Sequence, residues 1–587
     1  MHEPQDLNDA NLRDRAVAAA LGNAPFDLLL VGGQLVNVAT SEIYPADVGI
    51  VGGLIASVHQ AGSRADAAEV IDLSGQFIAP GLIDTHMHIE SSMVTPRRYA
   101  QTVVPQGTTT VVWDPHEVGN VAGLAGVDWA IAAARGLDLR VLTLAPSCVP
   151  SAPGIERAGA TFDPPQMAQM LANPDIYGVA EVMDMRGVLT RAPKMRGIVD
   201  AGLASGKLVC GHARGLLDAE LQGFVAAGIS SDHEISAADD FMQKIRAGLT
   251  IELRGSHDYV LPGVVAALKT LPHMPQTLTI CTDDVFPDDL TAKGGMADVL
   301  RRLVGHGMPA IDALRGATLN AAMRLGRADL GAVAPGRRAD IAVFADLVGF
   351  RATLVLASGR IAARNGMPTR TESATSDLPF TDTMKLDPLI ADAFDIRASG
   401  DVATVNTVVT PRFTRWGTAD LPVKDGIVQV PADMLRMAVI HRHGLADPTP
   451  VVGLLQEWGS WSGAIATTIA HDSHNLNVFG SNTTDMAVAV NALIACGGGM
   501  AVAKDSKILA LLPLPVCGLL SDAPTPEVGV ALEQLRDAAD QVADWLPPVR
   551  TFKALVGASL ACNPGPHVTD IGIADGSTGE IRQTVAG

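Results

Sequence analysis

Two histidines stand two residues apart, His86 and His88, at the end of the apolar run GLIDTHMHIE (81–90). In an extended strand, residues i and i+2 face the same side, so both imidazoles can address one ion. The same kind of interruption recurs further on. Glu181 falls in YGVAEVMD (177–184), His212 in KLVCGHA (207–213), His233 in ISSDHE (229–234) and Asp283 in TLTICTDD (277–284). Each sits near the C-terminal end of its run. Imidazole and carboxylate donors suit Zn, Mn or Fe(II) better than Ca or Mg. Such ions bring the pKa of water toward neutrality, so the chemistry on offer is metal-assisted hydrolysis. Each residue alone has an ordinary alternative, because a buried histidine is commonly a hydrogen-bonded core residue and Thr-Asp-Asp commonly caps a loop. The weight lies in their recurrence at matching positions.

The elements that must position these groups are eight apolar runs, at 77–90, 108–117, 139–147, 177–184, 207–213, 229–234, 249–256 and 277–284. Most are followed by an Ala/Leu-rich segment of helical spacing, such as GVDWAIAAARGL or GLLDAELQGFVAAG. Eight alternating units predict an α/β fold, a (β/α)8 TIM barrel over residues 77–329, whose C-terminal strand ends share one face. The competing α/β architecture, a doubly wound open sheet, lacks support because no Gly-rich phosphate loop follows the first strand. Gly-punctuated, β-branched stretches flank the barrel on both sides. They predict a small β-sandwich built from residues 25–76 together with 330–370. Residues 1–24 read as a polar helical leader, and 385–587 as an additional C-terminal α+β domain capping the barrel, with the polar insert HDSHNLNVFG (471–480).

Composition excludes several other classes. A formal net charge of −20 opposes nonspecific binding to nucleic acid or anionic membrane, both of which need a positive field. Apolar runs are short and broken, so no transmembrane helix is expected. Cys148, Cys210, Cys281, Cys496, Cys517 and Cys562 show no CxxC spacing and read as reduced, mostly buried thiols of a cytoplasmic protein. Apolar surface between large domains leads us to expect a homo-oligomer, a dimer in the simplest case.

Taken together, GLIDTHMHIE, the later His and Asp positions and the flank GAVAPGRRADIAVF resemble the amidohydrolase superfamily. HxHIESSM (86–93), VVWDPHEVGNV (111–121), EVMDMRGV (181–188), CGHARGL (210–216), SSDHE (230–234), CTDDVFP (281–287) and HDSHN (471–475) are similar to the bacterial adenine deaminase family within it. The resemblance covers nearly the whole chain. It implies hydrolytic deamination of a free purine base, adenine to hypoxanthine and ammonia, at two divalent transition-metal ions. Mn or Fe is expected by analogy, with Zn as the commoner default. Many relatives carry a carboxylated lysine on strand four; here that strand offers Glu181 and no lysine, so a fixed glutamate becomes the bridge. By the same analogy His86 and His88 hold one ion with Asp283, while His212 and His233 hold the other. Asp284 is the alternative to Asp283 if the register shifts by one.

In the implied reaction Asp283 relays a proton from the attacking water to the departing amine, and Glu181 shares in proton transfer to the ring. His233 is placed with them in the catalytic group. Glu90, Ser91, Ser92, Asp114, Met183 and His474 are candidates for substrate contacts. Glu90 to Ser92 read alternatively as a helix cap, and Asp114 as a group that orients a ligand histidine. His116 and Glu117 could hold an accessory ion, Asp184 and Arg186 could line the pocket with Met183 or form a surface ion pair, and His441 and His443 read as structural or surface residues. The rivals are hydrolysis of a cyclic amide, deamination of guanine or cytosine, and a degenerate barrel kept as a scaffold. The HxE with PCxxC pattern of deaminases acting within polynucleotides is missing, which favours a free base.

Overall fold

Each of the eight apolar runs contains a strand in the computed structural model of the chain, which describes residues 6–371, 377–411, 413–544 and 552–586. In chain order these are Leu82–Met87, Thr108–Trp113, Arg140–Ala145, Ile176–Val182, Leu208–Gly211, Ser231–Asp232, Thr250–Arg254 and Leu278–Cys281. The first five form one parallel sheet and the last three another. Backbone bonds join the two sheets at both seams. Ser230 N donates to Val209 O at 3.0 Å between the fifth and sixth strands, and Asp283 N donates to His86 O at 3.1 Å between the eighth and the first. The result is a TIM-barrel-like domain. Helices such as His116–Ala133, Pro193–Ser205 and Ala238–Arg246 follow the strands and bury one side against them.

Gly211 ends the fifth strand because no larger residue fits there. A Cβ would lie 2.5 Å from both Ile229 Cγ2 and Ser231 O. The tight approach lets the fifth and sixth strands present His212 and His233 side by side. Asp84 clamps the other seam, accepting from Thr282 N at 3.0 Å and Thr282 Oγ1 at 2.5 Å, directly beneath His86 and Asp283.

The two flanks of the barrel come together. They hydrogen-bond into a single connected ten-stranded sheet in which Phe77–Pro80 pairs with both Gln34–Asn37 and Ile341–Phe344. Leu30, Val48, Ile78, Ile341 and Leu356 form part of its apolar core. The leader contributes the helix Ala10–Ala20; residues 1–5 lie outside the described residues.

The C-terminal domain is a nine-stranded mixed sheet carrying the helices Thr483–Cys496 and Thr525–Asp540. One face of the sheet has its own core, including Val405, Ala438, Leu476 and Val490. The other face joins the barrel's core, since Met437, Phe479 and Val502 cluster with Trp113 and Leu253. Polar ties reinforce the junction. Ser521 N donates to Met93 O at 2.8 Å, Thr95 N to Ser521 O at 3.1 Å and Arg98 Nε to Asp522 O at 2.8 Å. Among the described residues no helix is long and apolar enough to cross a membrane.

Candidate active site

All six ligand-type residues converge at the C-terminal end of the barrel-like domain. Glu181 stands at the centre. Its Oε1 lies 3.3 Å from His88 Nε2 and 3.8 Å from His86 Nε2, while its Oε2 lies 2.6 Å from His212 Nδ1 and 3.2 Å from His233 Nε2. Asp283 Oδ1 is 3.4 Å from His86 Nε2 and 3.6 Å from His88 Nε2. All six side chains are buried. Asp284 instead faces the rim and accepts from Ser91 Oγ at 2.5 Å, which favours Asp283 over Asp284 in the cluster.

These separations test whether a metal fits. Donors about 2.1 Å from a tetrahedral ion are about 3.4 Å from one another. His86 Nε2, His88 Nε2, Glu181 Oε1 and Asp283 Oδ1 show four such separations of 3.3–3.8 Å, too long for good hydrogen bonds. His86 Nε2 and His212 Nε2 are buried with no hydrogen-bond partner, a costly arrangement unless something else satisfies them. His88 Nδ1 meets Asp114 O at 3.1 Å, the kind of outer contact that fixes a ligand imidazole. The residues on the His86, His88 and Asp283 side of Glu181 fit a divalent ion, while His212 and His233 flank its other oxygen.

Burial alone would raise the Glu181 carboxyl, but His233, His212 and His88 override it and hold the group well below the usual carboxylate range. Asp283 is likewise held down, against its burial, chiefly by Arg254. Burial opposes a charge on His233, yet Glu181 and Asp283 carry it up to about 9. Arg254 bridges Asp283 Oδ2 and Glu234 Oε1, and Ser256 Oγ donates to Asp283 Oδ2 at 3.1 Å.

A cavity of about 160 Å³ opens over this cluster. Met183 lines it as expected, with Phe286 and Trp458 as further apolar wall, while Thr414, His471, Asp472, Asn563 and His567 close it from the C-terminal domain. Trp458 Nε1, Asn563 Oδ1 and His567 Nε2 are buried polar atoms without hydrogen-bond partners, so they are available to a polar ligand edge.

Several expectations are corrected here. Glu90, Ser91 and Ser92 form a short 3-10 turn off the cavity lining. Glu90 turns back to accept from Trp113 Nε1 at 2.7 Å, and Ser92 Oγ donates to Ile89 O at 2.6 Å. His474 is also absent from the lining; its Nδ1 accepts from Ala470 N at 3.2 Å, and its neighbours His471 and Asp472 occupy the cavity wall instead. Asp184 caps its own helix by accepting from Gly187 N at 2.7 Å rather than pairing with Arg186. Of the two readings of His441, its burial 3.6 Å from Asp570 favours the structural one. The Asp114 carboxylate meets His116 Nδ1 at 3.0 Å.

Glu156, behind the cavity, accepts from Ser151 Oγ and Ala152 N, both at 2.7 Å. Burial pushes its carboxyl up to about 7 from an ordinary 4.5. A raised folded-state value means that stability is full below about pH 4.5 and is lost as pH rises through about 7. We expect Glu156→Gln to gain stability over the parent by up to about 3 kcal/mol between pH 4.5 and 8. Thermal midpoints of both proteins across that range check this, and a constant difference would refute it.

Comparison with known proteins bears on the whole chain. Residues 77–362 match the model of the amidohydrolase family, and residues 411–580 that of the adenine deaminase C-terminal domain. The chain is 59% identical to adenine deaminase 2 of Rhizobium meliloti, covering 100% of this chain and 98% of that one. It is 54% identical to adenine deaminase of Klebsiella pneumoniae, over 98% and 96% of the two chains. Identity is 38% to adenine deaminase of Moorella thermoacetica, over 96% and 97%. Among solved structures, β-aspartyl dipeptidase of Fervidobacterium islandicum is similar at 18% identity and a TM-score of 0.45, over 59% of this chain and 99% of that one. From end to end, the chain belongs to the adenine deaminase family of amidohydrolases.

Proposed function

We propose that the cavity above Glu181 is where this chain carries out hydrolytic deamination of adenine, on a closed (β/α)8 barrel spanning 77–329, with 25–76 and 330–370 as a sandwich and 385–587 as cap. The observation that carries the assignment is the ring of four imidazoles and the Asp283 carboxylate around one buried glutamate, under a lid from the second domain. Water adds to C6, the C6–N6 bond breaks, and hypoxanthine and ammonia leave.

The family uses divalent metals, whose contribution when bound is a water acidic enough to supply the nucleophile. His86, His88 and Asp283 would hold one ion and His212 with His233 the other, with Glu181 between the two groups. Asp283 has a divided task. Arg254 and Ser256 secure its Oδ2, while Oδ1 faces His86 and His88 under the cavity. That oxygen takes a proton from the attacking water and returns it to N6 as the amine departs. Arg254 keeps the carboxylate ionised between turnovers, ready for the next proton. Glu181 shares in proton delivery to the ring nitrogen. Met183, Phe286 and Trp458 offer flat apolar contact to a purine, and the lid residues exclude bulk water, strengthening each polar contact within.

Ammonia release from adenine by the purified, manganese-loaded chain tests the assignment, beside adenosine, guanine and a hydantoin. Turnover of adenine in strong preference to the other three is expected. Hydantoin turnover without adenine turnover would sink it.

A further inference from the structure

A second group of ligand-type side chains lies beside the catalytic cavity, where the two large domains meet. His116 and Glu117 open the helix after the second barrel strand, and His471 and Asp472 stand on the C-terminal domain's lid loop. His116 Nε2 is 3.5 Å from Asp472 Oδ1; His471 Nδ1 is 3.4 Å from Glu117 Oε1 and 3.5 Å from Asp472 Oδ1. We propose that these four side chains hold a third divalent cation, which fastens the lid to the barrel.

Three observations support a cation over a set of direct contacts. The separations are too long for strong hydrogen bonds and equal the edge of about 3.4 Å expected around a tetrahedral ion. His116, Glu117 and Asp472 are nearly completely buried, at 2%, 1% and 3% exposure, and the His471 side chain is 13% exposed. Yet His116 Nε2, Glu117 Oε1 and Asp472 Oδ2 have no hydrogen-bond partner, which buried groups rarely tolerate. Finally, His116 is already oriented. Its Nδ1 lies 3.0 Å from Asp114 Oδ2, so Nδ1–H donates there and Nε2 faces Asp472. A carboxylate behind an imidazole in this way is the usual support for a metal-bound histidine. Two carboxylates would balance one dication, and among the described residues their ion pairs are with histidines alone.

The site is independent of the substrate assignment. The test is to strip the full chain with a chelator, reload it with Mn2+ alone, and count manganese by plasma mass spectrometry. Anomalous diffraction at the manganese edge from wild-type crystals then locates each ion. Three ions per chain, with one peak among His116, Glu117, His471 and Asp472, are expected. The double variant Glu117→Gln/Asp472→Asn should bind two, with an unchanged far-ultraviolet circular dichroism spectrum. Two ions in the wild type and no peak at the lid would overturn the proposal but leave the centre around Glu181 standing, and no manganese at all would overturn both. Three ions retained by the double variant, with only the KM for adenine raised, would assign these residues to substrate recognition and overturn it too. Should the variant fail to fold, the wild-type anomalous map decides.

Discussion

Asp283→Asn should lower kcat for adenine by about 10³-fold, within the range of general acid–base contributions, while leaving KM within a few fold. Asparagine preserves shape and keeps an oxygen toward His86 and His88, but it is far too weak a base to carry the proton from water to N6. The effect therefore belongs to the transition state and lowers kcat and kcat/KM together. Metal content separates this from simple loss of a ligand: a variant that keeps both ions and still loses about 10³-fold has lost the relay. Asp284→Asn is the control. Its side chain is 28% exposed and its recorded bond is to Ser91 Oγ, so a loss of less than about tenfold is expected, as for a group outside acid–base catalysis. Equal losses in the two variants would show that the strand-eight assignment is wrong.

How much of this was legible beforehand follows from how each residue is placed. His86, Glu181, His212, His233 and Asp283 ride on or just after strands, so their convergence follows from local pattern plus one rule about strand ends. Arg254 carried the same signal unused. In Thr250–Arg254, Glu252 and Arg254 share a face; Glu252 pairs with Arg324 at 2.8 Å, while Arg254 reaches Asp283. A charged residue near the end of a buried strand could have been read as part of the site. The lid could be read only as a motif. HDSHN announces polarity, but its chain direction decides which histidine faces the cavity, and His474 is turned inward with φ of 49°. Thr414, Asn563 and His567 had no local signal at all, since they reach the cavity through packing of distant segments. Glu90 misled for a related reason, as Trp113 supplied an indole donor that drew it away from the opening.

The second large effect is on stability and starts from a lysine with no role in chemistry. Lys244 is 0% exposed, 2.8 Å from Asp232 and 2.9 Å from Asp240, and donates to Glu234 O at 2.6 Å. Burial disfavours its charge, but the two aspartates outweigh burial and raise it. Lys244→Met would leave two carboxylates buried without their cation, a change that typically costs about 3–5 kcal/mol. The thermal midpoint should fall by several degrees. The triple variant Lys244→Met/Asp232→Asn/Asp240→Asn should recover much of the loss, because removing all the charges removes the unpaired burial. No recovery would mean that Lys244 acts through packing of its stem. Asp232 ties this ion triad to the catalytic face. Its Oδ1 accepts from Ala213 N at 2.7 Å and Glu234 N at 3.2 Å, the residues immediately after His212 and His233. A carboxylate freed from Lys244 would shift both loops, so the single variant should also bind its second metal ion more weakly, by about 10–100-fold as for lost supporting contacts. Retention of full affinity alongside a large stability loss would separate the scaffold of this face from the geometry of its histidines.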